Sequence, residues 1–298
     1  MSLSYEKCTL CARRCAVNRG EKLGFCKMSD RLFVARASLH AWEEPIISGT
    51  RGSGTVFFSG CSLRCSYCQN AEISRGESGI EISARRLSEI MLELQAKGAH
   101  NINLVTPTHY APTIADAVAT ARGMGLTLPI VYNTSSYDTV ETLRCLEGTV
   151  DVYLADLKYY RENTALELSC AADYPKVARL AIEEMVRQKG APVLNNDGIL
   201  ERGVIVRILL LPSHLAEAKL SLKYLLDTYG DGIYISLMNQ YTPMPGMSPP
   251  LDRPVSRGEY RELLDYAERL GLKNGFTQDF GTAEESFIPP FDNSGVLA

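Results

Sequence analysis

No stretch of the 298-residue sequence holds the roughly 18 consecutive apolar residues of a membrane span, and its first residues do not read as a secretion signal. The expected setting is therefore the cytoplasm, with no membrane partner. A basic excess is missing as well: 31 Lys and Arg stand against 35 Asp and Glu, for a formal charge of -4. That balance disfavours an extended nucleic-acid surface and leaves room only for a small local patch. The four histidines make no metal constellation, and no Ser-His-Asp or zincin motif offers a hydrolase. The first apolar strand is not followed by Gly-x-Gly-x-x-Gly, which removes the usual reason to expect a dinucleotide fold. Internal repeats and low-complexity tracts are lacking too.

What the chain does have is cysteine. There are nine: Cys8, Cys11, Cys15, Cys26, Cys61, Cys65, Cys68, Cys145 and Cys170. Seven lie before residue 69, in a chain too long and unsignalled for a secreted disulfide scaffold. Two close sets of thiols in a reducing compartment read first as metal or iron-sulfur ligands. Cys145 in an expected helix and Cys170 in a polar connection read as incidental.

The rest of the chain alternates short apolar runs with helical stripes. Strands are expected at Thr55–Ser59, Asn101–Val105, Pro129–Asn133, Asp151–Asp156, Gly203–Leu211 and Ile233–Met238. Helices are expected after Ser83, through Ile114–Ala121, near Asp138–Leu146, over Pro175–Lys189, along Leu222–Tyr229 and over Ser256–Leu270. GVIVRILLL is apolar almost without interruption, as a parallel strand covered on both faces would be. Right-handed crossovers put six such strands in one parallel sheet with helices outside; periodicity leaves barrel and open sheet undecided. Residues 1–50 read as a cysteine-rich extension and linker, and 51–298 as the α/β domain. Trp42, beside Glu43-Glu44-Pro45, is expected to anchor the two together, and Pro243–Pro254 is a surface loop.

Residues 61–68, CSLRCSYC, space Cys61, Cys65 and Cys68 as C-x3-C-x2-C directly after the first strand. Three thiolates on one loop suit three irons of a cubane cluster, leaving the fourth for a chelating ligand. The plainer readings are a zinc site completed from afar, or three unrelated cysteines. With Tyr67, the motif resembles that of the radical S-adenosylmethionine superfamily. The wider sequence, through NINLVTPTHY, YNTSSYD, DLKYY, VRILLLP and SLMNQYTP, is similar to uncharacterised relatives of pyruvate formate-lyase activating enzyme that carry an N-terminal cysteine cluster.

The resemblance implies a partial (β/α)6 barrel with a small N-terminal cysteine-rich extension, one [4Fe-4S] cluster on Cys61, Cys65 and Cys68, and S-adenosyl-L-methionine as cofactor. It places Tyr67 near the adenine. Val105-Thr106-Pro107-Thr108 stands where relatives carry Gly-Gly-Glu, so Thr106 or Thr108 is left to receive the methionyl ammonium. Asn133-Thr134 replaces an Asp-Thr pair, and Leu154 a Met, so the family's monovalent cation is not expected. Asp156-x-Lys158 matches a motif that contacts the methionine and ribose, against the alternative of a salt bridge within the loop. Arg207, charged inside an apolar strand, matches an arginine that binds the cofactor carboxylate; pairing to a structural acid is the other reading. Ser135, Ser136, Asn239 and Gln240 are weaker pocket candidates, and His109 is the histidine best placed for the site.

Cys8, Cys11, Cys15 and Cys26, interleaved with Arg and Lys, suggest a second iron-sulfur cluster or a zinc site, against free thiols or disulfides. The expected function is an oxidoreductase-type radical enzyme that forms a 5'-deoxyadenosyl radical. Its expected partners are a protein or peptide, such as a glycyl radical enzyme activated at a glycine, and a low-potential electron donor such as flavodoxin or ferredoxin. Two alternatives stand beside it: radical modification of a small molecule or tRNA, and a non-catalytic iron-sulfur interaction protein.

Overall fold

The computed structural model describes residues 3–279 and 289–297. In chain order the elements are β1 (Leu32–His40), α1 (Pro45–Ser48), β2 (Ser53–Phe58), α2 (Ala71–Ser74), β3 (Ile80–Ile82), α3 (Ala84–Ala96), β4 (Ile102–Val105), α4 (Ala111–Gly123), β5 (Ile130–Thr134) and α5 (Val140–Cys145). They continue as β6 (Val152–Asp156), α6 (Glu162–Ser169), α7 (Tyr174–Lys189), β7 (Val193–Leu194), β8 (Leu200–Leu209), α8 (Leu215–Tyr229), β9 (Tyr234–Met238), α9 (Arg257–Arg269) and β10 (Gly275–Thr277).

The sheet runs β10-β9-β8-β6-β5-β4-β2-β1-β3. Along that order every neighbour from β2 to β10 is parallel, while β1 joins β2 and β3 antiparallel and the two-residue β7 lies antiparallel on β8. The two end strands are not paired to each other, so the sheet curves as an open, partial barrel. The six expected strands are its parallel centre. Burial explains the order: Val152–Ala155 and Val204–Val206 are buried throughout, as strands covered on both faces must be.

Helix starts follow their caps. The Ser83 side chain accepts from the Arg86 N–H at α3, and Ser256 with Glu259 closes a capping box at α9. Other elements lie outside the sequence expectation. β1 carries Arg36 and Ser38 within it, and the segment holding Cys170 contains α6, with Cys170 in the left-handed conformation at its end. Trp42 is 60% exposed and stands at a cavity mouth rather than in a buried joint.

The expected cysteine-rich extension is not there as a separate element. Residues before β1 are laid against the barrel: Leu10 is fully buried, Cys11 bridges to Asp138, and the Ala12 N–H donates to the Tyr137 carbonyl at 3.2 Å. Met28 and Cys26 belong to the core under α3 and α4. Gly60, at φ 84°, leaves room for this strap, because a Cβ there would lie 2.7 Å from the Cys26 carbonyl oxygen. Two arginines rivet it. Arg13 donates to the carbonyls of Ser62 (2.9 Å), Leu63 (3.3 Å), Ser169 (2.9 Å) and Cys170 (2.6 Å). Arg19, fully buried, donates to the carbonyls of His109, Met28 and Ser29.

Candidate active site

A cavity of about 240 Å³ opens where the parallel strands end. Open α/β sheets bind ligands at that end, because successive loops there converge on one space. Strand and loop residues deliver Asn133, Ser135, Asp156, Lys158, Arg207, Gln240 and Tyr241 to its wall, with Cys61, Cys65, Tyr67 and Cys68 from the loop after β2.

The polar wall is one network. Arg207 donates through Nε to Asp156 Oδ1 (2.8 Å), through Nη2 to Asn133 Oδ1 (2.7 Å) and through Nη1 to Glu43 Oε2 (3.3 Å). Lys158 Nζ takes the other Asp156 oxygen at 2.7 Å. Register sets this arrangement: Asp156 and Arg207 are direct partners across β6 and β8. Burial alone would raise the Asp156 carboxyl, but Arg207 and Lys158 outweigh it and hold it below the ordinary carboxylate range. Arg207 and Lys158 are in turn held protonated against burial, chiefly by Asp156. The Tyr174 hydroxyl pins the corner, accepting from the Lys158 N–H and standing 2.9 Å from the Ser135 carbonyl.

Tyr67 is the aromatic wall. It sits edge-on to Tyr159 and Tyr241, and its hydroxyl accepts from the Tyr159 hydroxyl at 3.0 Å. Thr106 reaches the cavity from a left-handed backbone, φ 58°, after β4. Thr108 lies behind it, buried, 3.5 Å from the Thr134 hydroxyl. His109 is turned away: its ring is buried and Nε2 meets the Ser59 carbonyl at 2.8 Å, with burial and Arg19 pushing its pKa down to about 3. Ser136 and Asn239 are buried beside the site without lining it; the Asn239 N–H is held by Gln278.

Glu43 is the site residue that pattern reading missed. It arrives from the turn before α1, far from the strand-end motifs, and its Oε1 accepts from the amides of Asn103 (2.9 Å) and Asn133 (3.3 Å). The signal was present in the acidic pair Glu43-Glu44 beside Trp42, but nothing in the pattern showed that this turn folds over the strand ends.

The cluster expectation does not fit this structure. Cys61, Cys65 and Cys68 line one cavity, yet no group of three or more Cys, His, Asp and Glu side chains among the described residues is arranged to hold a metal ion. Burial, above all, pushes the Cys61 thiol up to about 12 and also raises Cys68. The same finding overturns the second cluster or zinc site at Cys8, Cys11, Cys15 and Cys26, where burial raises Cys11 to about 12. The resemblance to relatives bearing an N-terminal metal cluster is corrected accordingly.

A family model described as "Radical SAM superfamily" matches residues 55–212. "Uncharacterized protein MJ0674" of Methanocaldococcus jannaschii is 27% identical over 279 residues, covering 90% of this chain and 76% of that one. Among solved structures, Streptococcus suis SuiB bound to S-adenosylmethionine aligns with a TM-score of 0.50 and 11% identity over 76% of this chain. The chain spans about half of SuiB, 50%. Methylornithine synthase (PylB) aligns with a TM-score of 0.50 and 15% identity, over 89% of this chain and 68% of its own. These structural likenesses extend to the fold. Among the described residues no helix is long and apolar enough to cross a membrane.

Proposed function

Since the chain belongs to the radical SAM superfamily, we propose that the strand-end cavity binds S-adenosylmethionine and directs its radical chemistry at a C–H bond of a peptide or protein. An oxidoreductase-type catalytic role follows from the family; the ligand's pose and the substrate are our reading. The observation that carries it is the Asp156–Lys158–Arg207–Asn133 network beside Tyr67, inside the segment that matches the family.

When bound and given one electron by an external low-potential donor, S-adenosylmethionine would break its sulfonium–C5′ bond, releasing methionine and supplying a carbon radical able to take a hydrogen atom. The chain's own residues bind and orient it. Lys158 and Arg207 offer donors to its carboxylate, Asp156 accepts from its ammonium or ribose, and Tyr67 provides an apolar face for the adenine. Tyr67 and Tyr241 are buried and shield the cavity from water, which a reactive intermediate requires. Trp42, exposed at the mouth, gives a protein partner an aromatic contact. A backbone glycine of such a partner is the substrate atom we favour, and the electron comes from an external low-potential donor.

The test is anaerobic. Equilibrium binding of S-adenosylmethionine should saturate at one site, and chemical reduction should release 5'-deoxyadenosine. Electron paramagnetic resonance of protein mixed with a candidate partner should then show a glycine-centred signal. Absence of S-adenosylmethionine binding overturns the proposal at its root; cleavage with a silent partner overturns the glycyl role alone.

A further inference from the structure

The charges around the cavity do not balance. Glu43, Glu44 and Asp156 supply three carboxylates within interaction range of Arg207, against two cations, Arg207 and Lys158. Asp156 is matched on both oxygens. Glu43 shares Arg207 with it, and Glu44, buried behind, has Oε2 without a hydrogen-bond partner. The remaining neighbours of Glu43 are the neutral amides of Asn103 and Asn133. His40, on β1 at the cavity wall, is kept neutral by burial and Arg36. Among the described residues the site therefore holds one more carboxylate than cations.

A buried, unmatched carboxylate is costly until a cation meets it. S-adenosylmethionine carries an ammonium, a carboxylate and a sulfonium, for a net charge of +1. S-adenosylhomocysteine, the same molecule without the sulfonium, is net neutral. Resting on the ligand proposed above, we infer that Glu43 is the specificity-determining residue that makes this cavity select the sulfonium over its neutral thioether. Glu43 lines the cavity, whereas Glu44 does not.

The experiment compares the affinities of S-adenosylmethionine and S-adenosylhomocysteine by calorimetry. Wild type should prefer the sulfonium by at least about tenfold, the size expected of one unit charge across several ångströms of partly screened interior. Glu43→Gln should bring the ratio to about 1–3 by weakening the sulfonium and sparing the thioether, and Glu43→Asp should restore most of the preference. Should Glu43→Gln not fold, wild type decides: burial raises the pKa of Glu43 and of Glu44 behind it, so lowering the pH should protonate the acidic pair and erase the preference. Binding of both ligands with equal affinity by wild type, or a preference untouched in Glu43→Gln, overturns the inference. Binding of neither overturns the ligand reading instead.

Discussion

At the residue scale, Arg207 shows how far one side chain can be read from sequence. A charge inside GVIVRILLL demands a partner, and cofactor carboxylate and structural acid were both open. The structure gives it Asp156, Glu43 and Asn133 at once. Removing it leaves Asp156 with Lys158 alone and takes from Glu43 its ion-pair partner. Arg207→Ala should cost about 3–5 kcal/mol in urea unfolding, the usual penalty for stranding buried partners, and should abolish binding of S-adenosylmethionine. Arg207→Lys should recover only part of each, because a single ammonium cannot span three acceptors. A loss below 1 kcal/mol, about the worth of an exposed pair, would show the network to be wet.

His109 was legible as unusual but not as to why. Its sequence neighbours pointed to the cavity, and only the fold shows Arg19 and Ser59 on the other side. The buried imidazole stays neutral down to about 3, whereas in the unfolded chain it protonates near 6.5. In that interval the unfolded state binds the additional proton, so stability falls as pH falls, by about 1.4 kcal/mol per pH unit. His109→Gln keeps a donor for the Ser59 carbonyl and does not titrate. The slope of unfolding free energy between pH 6 and 4 should drop by about that amount, and an unchanged slope would place the proton elsewhere.

At the scale of elements, the parallel strands and their helices were legible because burial on both faces writes continuous apolar runs, and caps write Ser83 and Ser256. β1 was not. It has one partner on each side and holds polar residues, with Arg36 turned to Ser38 and Asp292. α6 is mostly exposed, with only Ala165, Leu168 and Ser169 buried, too little to write a stripe. Its end nevertheless matters, because Arg13 ties the Ser169 and Cys170 carbonyls to those of Ser62 and Leu63. One guanidinium thus couples the cysteine loop to α6. Arg13→Ala should loosen both together: backbone amides of Ser66 and Ala171 should exchange with deuterium about tenfold faster or more, while those of β5 and β6 stay protected. Faster exchange in only one of the two segments would mean that Arg13 does not couple them.

For the whole molecule, the question is whether the residues before β1 are a module or part of the barrel. Spacing of Cys8, Cys11, Cys15 and Cys26 suggested a self-contained metal fold, because so short and charged a segment has little apolar surface with which to fold alone. The structure answers by burying that surface elsewhere. Leu10 is covered, Met28 enters the core under α3 and α4, and Arg19 occupies a buried position bonded to the carbonyl of His109. Such contacts join residues far apart in the chain and leave no local pattern. A module can be removed at no cost to its neighbour; a strap cannot. Deleting residues 1–28 should remove about 3–6 kcal/mol for Leu10 and Met28 alone, and so lower Tm by roughly 6 °C or more. It should also expose the Tyr110 side of the core to a hydrophobic dye and strip the carbonyls of Ser62 and Leu63 of their Arg13 partner. Scanning calorimetry of the truncated and full-length proteins measures this directly, and equal transitions would show that the N-terminal residues lie on the barrel without stabilising it.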